Sequence, residues 1–353
     1  LFMSIFFILF LIPSCAEKGT ENPETSVSEN LPQIPQEMNN GESLVQENVV
    51  QENVVQENVV QEPFEQYTRN EEGNYDFTCT EQQQTRVSTF GGNIHTIWSA
   101  TSEDGLTWTE EQYIQQGSVP EVILFNDKYY MFVMGSCLMY VSDDGLIFEP
   151  YTYTLKNKNI PEDFKNFGGV DPTAIVDNGK IRLFFYEPNF KGAQPSDPSL
   201  VAGEHSIVQY VSEDAITWER VGESVAVEQI TDPDVVLHND LYYLFLSKGT
   251  SVIATSSEDG KTFSVLNNGA AVHNLGGVPD TIVIGDVMYM YGHRHNEKTT
   301  AINIMKSTDG IFWEAVGTAL QDAESPSVVQ LADDTYRMYY VKSLSEWEYE
   351  ALE

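Results

Sequence analysis

The sequence predicts an all-β fold: a five-bladed β-propeller closed by strands from both chain ends. Three observations predict it. From about residue 75 onward, short runs rich in Tyr, Phe, Val and Ile are broken by Asp-Gly and Asn-Asp turns, and no amphipathic helix of useful length appears. Two motifs alternate along this stretch, which is the mark of a repeat architecture. The order of the motifs also closes on itself.

The first motif is S-x-D-G-x-x-aromatic. It reads SEDGLTW at 102–108, SDDGLIF at 142–148, SEDAITW at 212–218, SEDGKTF at 257–263 and STDGIFW at 307–313. The Asp caps a turn, Gly permits positive φ, and the aromatic restarts a strand. These segments are expected as structural turns between third and fourth strands rather than calcium loops. Ala215 replaces Gly in one copy.

The second motif is a proline-led hairpin. It begins VPEVILF at 119, DPTAIVD at 171, DPDVVLH at 232, VPDTIVI at 278 and SPSVVQL at 325, with turns near Asp127, Asp177, Asp240, Asp286 and Asp333. Proline suits the first residue of a strand, where no ladder donor is required. The chain starts with one turn-type half, continues through four full units, and ends with one hairpin-type half. The last hairpin (325–341) therefore supplies two inner strands, and 94–108 the two outer strands of the same blade. About 50 residues per unit suits four strands per blade.

In such a ring the first strand of each blade lines the channel, so the proline-led starts meet at one mouth. Strand alternation predicts that Val119/Glu121, Asp171/Thr173, Asp232/Asp234, Val278/Asp280 and Ser325/Ser327 face the axis, with Glu324 one residue earlier. Crowded carboxylates in a partly dry funnel have raised pKa values, which suits acid–base chemistry. They would equally suit a structural cation such as calcium in the channel. The second strands return Glu187, Lys248, His293, Arg294 and Lys342 to the same rim, and the longest interruption, 188–206, leaves from this face as a lid.

These features resemble the five-bladed propeller glycoside hydrolases, the arabinanase/xylosidase and invertase/levansucrase group. The resemblance covers about 75–343 and rests on D-P in GGVDPT and TDPDV, and E-x-P in AESPS. It implies Asp171 as base or nucleophile, Asp232 as the residue tuning pKa, and Glu324 as general acid. Glu121, Asp234, Asp280, Glu187, His293, Arg294 and Lys248 would contact the sugar. In that group the acid lies in the blade after the second Asp. Here that blade reads GGVPDT and Glu324 lies one blade further on, so Glu187 and Asp280 are alternatives for the acid. The activity implied is hydrolysis of O-glycosyl bonds in a poly- or oligosaccharide, by a monomer. The rival reading is a carbohydrate-binding or scaffold propeller without chemistry.

The remaining segments bear on location. The start, LFMSIFFILFLIPSC, is the apolar core of an export signal (1–14), and IPSC resembles a bacterial lipobox with Cys15 as the lipidated residue. Residues 15–74, with the VQENV repeat at 45–62, are too polar to form a core and are expected as a disordered tether. The propeller is expected over 75–345, with a tail at 346–353. A lipid anchor to the cell envelope, periplasmic or surface-exposed, is the expected location. With 54 acidic against 18 basic residues, a formal charge of −36, the chain repels phosphate backbones, so nucleic acid is not an expected partner. Cys79 and Cys137 would either pair in an oxidising compartment or stay as buried thiols. Without a CxxC or Cys/His cluster there is no zinc signal, and no bound metal is assigned.

Overall fold

The computed structural model describes residues 67–78, 89–90, 93–134, 139–158, 170–187, 204–266, 271–273, 275–295 and 300–352. The signal segment, Cys15, the VQENV repeat, Cys79, Cys137 and all but the end of the 188–206 segment lie outside the described residues.

Five sheets form the body, numbered here as blades I to V in order of their first strands. Blade I comprises Ser118–Phe125, Lys128–Met134, Met139–Ser142 and Glu149–Pro150. Blade II comprises Val170–Asp177, Lys180–Glu187, Glu204–Ser212 and Thr217–Glu228. Blade III comprises Thr231–His238, Leu241–Lys248, Ser251–Ser257 and Ser264–Val265. Blade IV comprises Gly277–Ile284, Val287–His295, Thr300–Ser307 and Glu314–Gln321. Blade V joins Glu324–Gln330 and Tyr336–Leu344 from the end of the chain to Asn93–Ser102 and Thr109–Gln116 from its first half. That junction is a continuous antiparallel ladder from Tyr336↔Ser102 to Leu344↔Ile94. The first strands adjoin one another in a closed circuit, I–II–III–IV–V–I.

The apolar residues of the strands are buried between blades. Five clusters fill the five interfaces, one for each adjacent pair. Between blades I and II, Trp218 and Phe132 meet edge to face at 5.8 Å. Burying each such side chain stabilises by about 1.5–3 kcal/mol.

The Asp turns join third to fourth strands, as the repeat predicts, and all follow one scheme. In blade V, Ser102 Oγ donates to Asp104 Oδ1 at 3.0 Å, and Asp104 Oδ1 accepts the Leu106 and Thr107 amides at 2.8 and 2.7 Å. Each turn also docks on the preceding blade: Tyr291 Oη donates to Gly105 O at 2.6 Å, Tyr339 Oη to Gly145 O at 2.7 Å, Tyr151 Oη to Ala215 O at 2.9 Å, Gln209 Nε2 to Gly260 O at 2.8 Å, and Tyr243 Oη to Asp309 O at 3.1 Å. The turn aspartates are thus occupied by backbone donors. Ala215 adopts the left-handed conformation that its glycine counterparts use, at φ 64°, and its carbonyl also accepts Trp218 Nε1 at 3.1 Å.

The folded region begins before the expected boundary at 75. Tyr67–Arg69 pairs with Tyr75–Phe77, which pairs with Tyr153–Lys156, and this three-stranded extension covers the outer edge of blade II. The connecting turn is fixed by Asn70, whose Oδ1 accepts the Glu72 and Asn74 amides at 3.1 and 3.0 Å. Polar composition hid this hairpin, because its pairing partners lie far along the chain. At the other end, Glu346–Glu350 forms a short helix with a capping box at Ser345 and Glu348. Among the described residues no helix is long and apolar enough to cross a membrane.

Gly145 tests the turn docking. It has φ 73°, and an added Cβ would lie 2.7 Å from both Tyr339 Oη and Arg337 Nη1. Gly145→Ala should lower unfolding free energy by about 1–3 kcal/mol, read by chemical denaturation, with the circular dichroism of the folded state unchanged.

Candidate functional site

The proline-led strand starts are not regular. Each first strand shifts register across its proline, between Ser118/Glu121, Val170/Thr173, Thr231/Pro233, Gly277/Asp280 and Glu324/Ser327. The residue before each proline has positive φ: Val119 46°, Asp171 55°, Asp232 41°, Val278 49° and Ser325 45°. That conformation is unfavourable for a non-glycine residue, and more so for a β-branched one before proline, at about 1–3 kcal/mol each. Five equivalent positions carry the same strain, so something common to all five must hold them there.

A belt of hydrogen bonds does so. The side chain after each proline accepts the backbone amide two residues after the proline of the next blade. Glu121 Oε1 takes Ala174 N at 2.7 Å, Thr173 Oγ1 takes Val235 N at 3.0 Å, Asp280 Oδ2 takes Val328 N at 2.9 Å and Ser327 Oγ takes Val122 N at 2.9 Å. Asp234 takes Thr281 N, and its Oδ2 also accepts Thr281 Oγ1 at 2.5 Å. Ser327 Oγ in turn donates to Glu121 Oε2 at 3.2 Å. The ring of five is complete.

Glu121, Asp234 and Asp280 thus have a use that the sequence did not suggest: all three are buried, as Asp171 is, and each accepts a backbone amide of the next blade. Burial pushes Glu121 up to about 8 and Asp234 up to about 6. Asp280 is raised well above the ordinary carboxyl range by burial, then by the charges of Glu121 and Asp234. Among the described residues no group of three or more His, Cys, Asp or Glu side chains is arranged to hold a metal ion.

The mouth itself holds Asp171 and Asp232. These pre-proline residues of blades II and III are hydrogen-bonded to each other, and the Asp232 amide also donates to Asp171. Two carboxyl groups in that contact share a proton. Asp232 accepts Thr231 Oγ1 at 2.6 Å and the Ser247 hydroxyl, so it is the better place for the negative charge. Burial and the Asp232 charge raise Asp171 well above the ordinary range; burial also raises Asp232. Ser247 Oγ further accepts Val278 N at 3.0 Å, linking the pair to blade IV. Tyr186 is pushed up to about 12 by burial and then by both aspartates.

Glu324 lies two residues before its proline, equivalent to Thr231 rather than to Asp232. Its Oε1 accepts Ser343 Oγ at 3.1 Å. In a ring of five, the vertex facing the II–III edge is blade V, so the blade that carries Glu324 lies opposite the two blades that carry the aspartate pair. His293 Nδ1 accepts the Ser325 amide at 3.0 Å, which makes it a tie between blades IV and V. Lys248 is half-buried and Arg294 exposed at the ends of second strands. Lys342 turns away from the mouth, with Nζ 2.8 Å from Glu110 Oε1 and 4.5 Å from the Trp98 ring centre. Glu187 ends the second strand of blade II opposite Ser206. Thr231, Ser247, Tyr186 and Ser343 were not singled out in the sequence. Thr231 and Ser247 adjoin motif residues, but their convergence on Asp232 is a product of the fold.

The architecture has solved counterparts. A thermostable family-43 glycoside hydrolase is 12% identical over 64% of this chain and 88% of its own, at a TM-score of 0.50. An α-L-arabinanase from Cellvibrio cellulosa, solved with arabinohexaose, is 11% identical over 65% and 88%, at 0.46. An exo-β-1,3-galactanase from Phanerochaete chrysosporium, solved with galactose, is 10% identical over 69% and 64%, at 0.48. No family profile matches the sequence, and no curated protein matches it. At this identity the likeness is one of fold.

The belt makes stability depend on pH. In the folded state Glu121 and Asp234 titrate at about 8 and about 6, against ordinary values of 4.5 and 3.8. Between these limits the folded chain binds more protons than the unfolded one, so stability falls as pH rises. Melting temperature should fall from about pH 5 to about pH 8. Glu121→Gln, which keeps an acceptor for Ala174 N, should flatten the curve; a slope as steep as wild type would remove Glu121 from this account.

Proposed function

We propose that the protein is a glycoside hydrolase whose carboxyl groups at the propeller mouth cleave a poly- or oligosaccharide. The observation that carries this reading is the proton-sharing Asp171–Asp232 pair on adjacent blades, faced by Glu324 from blade V. Glycosidic hydrolysis needs a proton donor for the leaving oxygen and an ionised carboxylate on the other side. Asp171 and Asp232 touch, so they act as one unit with a single negative charge. A proton drawn from water, or the charge for attack on the anomeric carbon, would be met at Asp171, and the shared proton shifts toward Asp232. Glu324 would protonate the leaving oxygen.

The family-43 likeness supports the reading at the level of fold, since one fold hosts many functions. The repeat of one strained slot before each proline supports it further. Only two of the five slots carry aspartate, and those two adjoin. The start of the chain supports a lipid tether through Cys15 to a bacterial envelope.

Screening arabinan, xylan, fructan and mannan oligosaccharides tests the proposal. On a substrate so identified, Asp171→Asn should lower kcat by about 10²–10⁴-fold with melting temperature unchanged or raised. Full activity in that variant would remove Asp171 from the chemistry. Oligosaccharide bound but uncleaved by wild type would assign the mouth to recognition alone. If the tether reading holds, Cys15→Ser should abolish incorporation of labelled fatty acid.

A further inference from the structure

The acid side of the mouth contains a cluster that the sequence did not single out. His95, near the start of the third strand of blade V, is paired in register with Ser343 on the second strand. Ser343 Oγ donates to Glu324 Oε1 at 3.1 Å, which hangs the carboxyl group over that rung. On its other side, His95 Nδ1 lies 2.8 Å from Ser118 Oγ, the residue that opens blade I. His95 and Ser118 are 9% and 2% exposed, and Gly117 N donates to His95 O at 3.2 Å. The imidazole is therefore wedged between blades V and I, beside the carboxyl of Glu324. The Glu324 charge acts on it electrostatically: burial holds His95 below its ordinary value, and that charge opposes the effect.

We propose that His95, locked by Ser118, is a positioning residue for Glu324, holding its carboxyl group at the mouth as an uncharged neighbour. The inference rests on the hydrolase reading for its purpose, though the contact itself can be tested without it. The charge that Glu324 exerts on His95 in the free protein must be neutralised by a proton before the leaving oxygen can draw on it. A cation beside Glu324 would favour the ionised carboxylate and discharge the acid. A neutral imidazole offers a polar contact without that penalty. The other described groups nearby agree. His293, on blade IV, uses Nδ1 to accept Ser325 N, a hydrogen bond that requires an unprotonated Nδ1. Lys342, next to Ser343, is turned toward Glu110 and Trp98 on the outer strands.

The direct test is a proton–carbon NMR titration of the histidine rings in the full chain, with the His95 signal identified by its loss in His95→Gln. In Glu324→Gln the His95 midpoint should fall by about half a pH unit or more, because the charge that raises it is gone. An unchanged midpoint overturns the proposal. Should His95→Gln fail to fold, Ser118→Ala identifies the same signal by its displacement. On an identified substrate, His95→Gln should lower kcat by about 10–100-fold with KM little changed, and should move the alkaline limb of the kcat/KM profile. A lowered melting temperature with that limb in place would mean a structural role only, and would overturn it. If wild type cleaves no glycan in the screen, the hydrolase reading falls, while the His95 midpoint still decides the pairing.

Discussion

The belt of side-chain acceptors around the axis is the constraint on which the other features depend. Propeller blades pack through apolar faces, and apolar packing alone does not fix the rotation or height of one blade against the next. Here the oxygen of Glu121, Thr173, Asp234, Asp280 or Ser327 captures one defined backbone amide of the following blade. An ordinary hydrogen bond contributes about 0.5–1.5 kcal/mol net, which offsets part of the cost of about 1–3 kcal/mol for holding each pre-proline residue at positive φ. The strain and the belt are thus two sides of one device. The bulge aims the acceptor at its neighbour and turns the pre-proline side chain toward the mouth.

That device creates five equivalent slots at the mouth, and chemistry depends on what fills them. Valine or serine fills three, and aspartate fills the adjacent slots of blades II and III. The same residue type then behaves differently one step apart along a strand. Asp234 is consumed by Thr281, whereas Asp232 faces Asp171 and shares a proton with it. Burial raises all these carboxyl groups, but only Asp171 and Asp232 are hydrogen-bonded to each other. Glu324 is displaced by one residue from the slot pattern. Its carboxyl group accepts Ser343 Oγ, on the rung that pairs with His95.

Alternation misled the reading of the acids for a local reason. Regular strand periodicity places Asp171 with Thr173 and Asp232 with Asp234 on one face at one level, a single crowded opening. A bulge at the proline inserts a register shift just there, so the acids separate into a pre-proline pair and a belt of amide acceptors. The clue was present in the sequence: every residue after the five prolines carries a side-chain oxygen. Its meaning required knowing that the following blade offers an amide at that height. The hairpin of Tyr67–Arg69 and Tyr75–Phe77 escaped for a related reason, since its place on blade II depends on the distant strand Tyr153–Lys156.

The sequence by itself determined the features set by local chemistry and order along the chain. Asp-Gly turns, proline-led strands and aromatic runs are short-range signals. Their cyclic order requires 94–108 to complete the blade begun at 325. Tertiary structure decided which carboxyl groups meet, which are spent on backbone amides and which share a proton. It also decided that His95 meets Ser118 of the neighbouring blade. Those outcomes are distances across a closed ring between residues far apart in sequence. No local pattern encodes such a distance until the ring has closed.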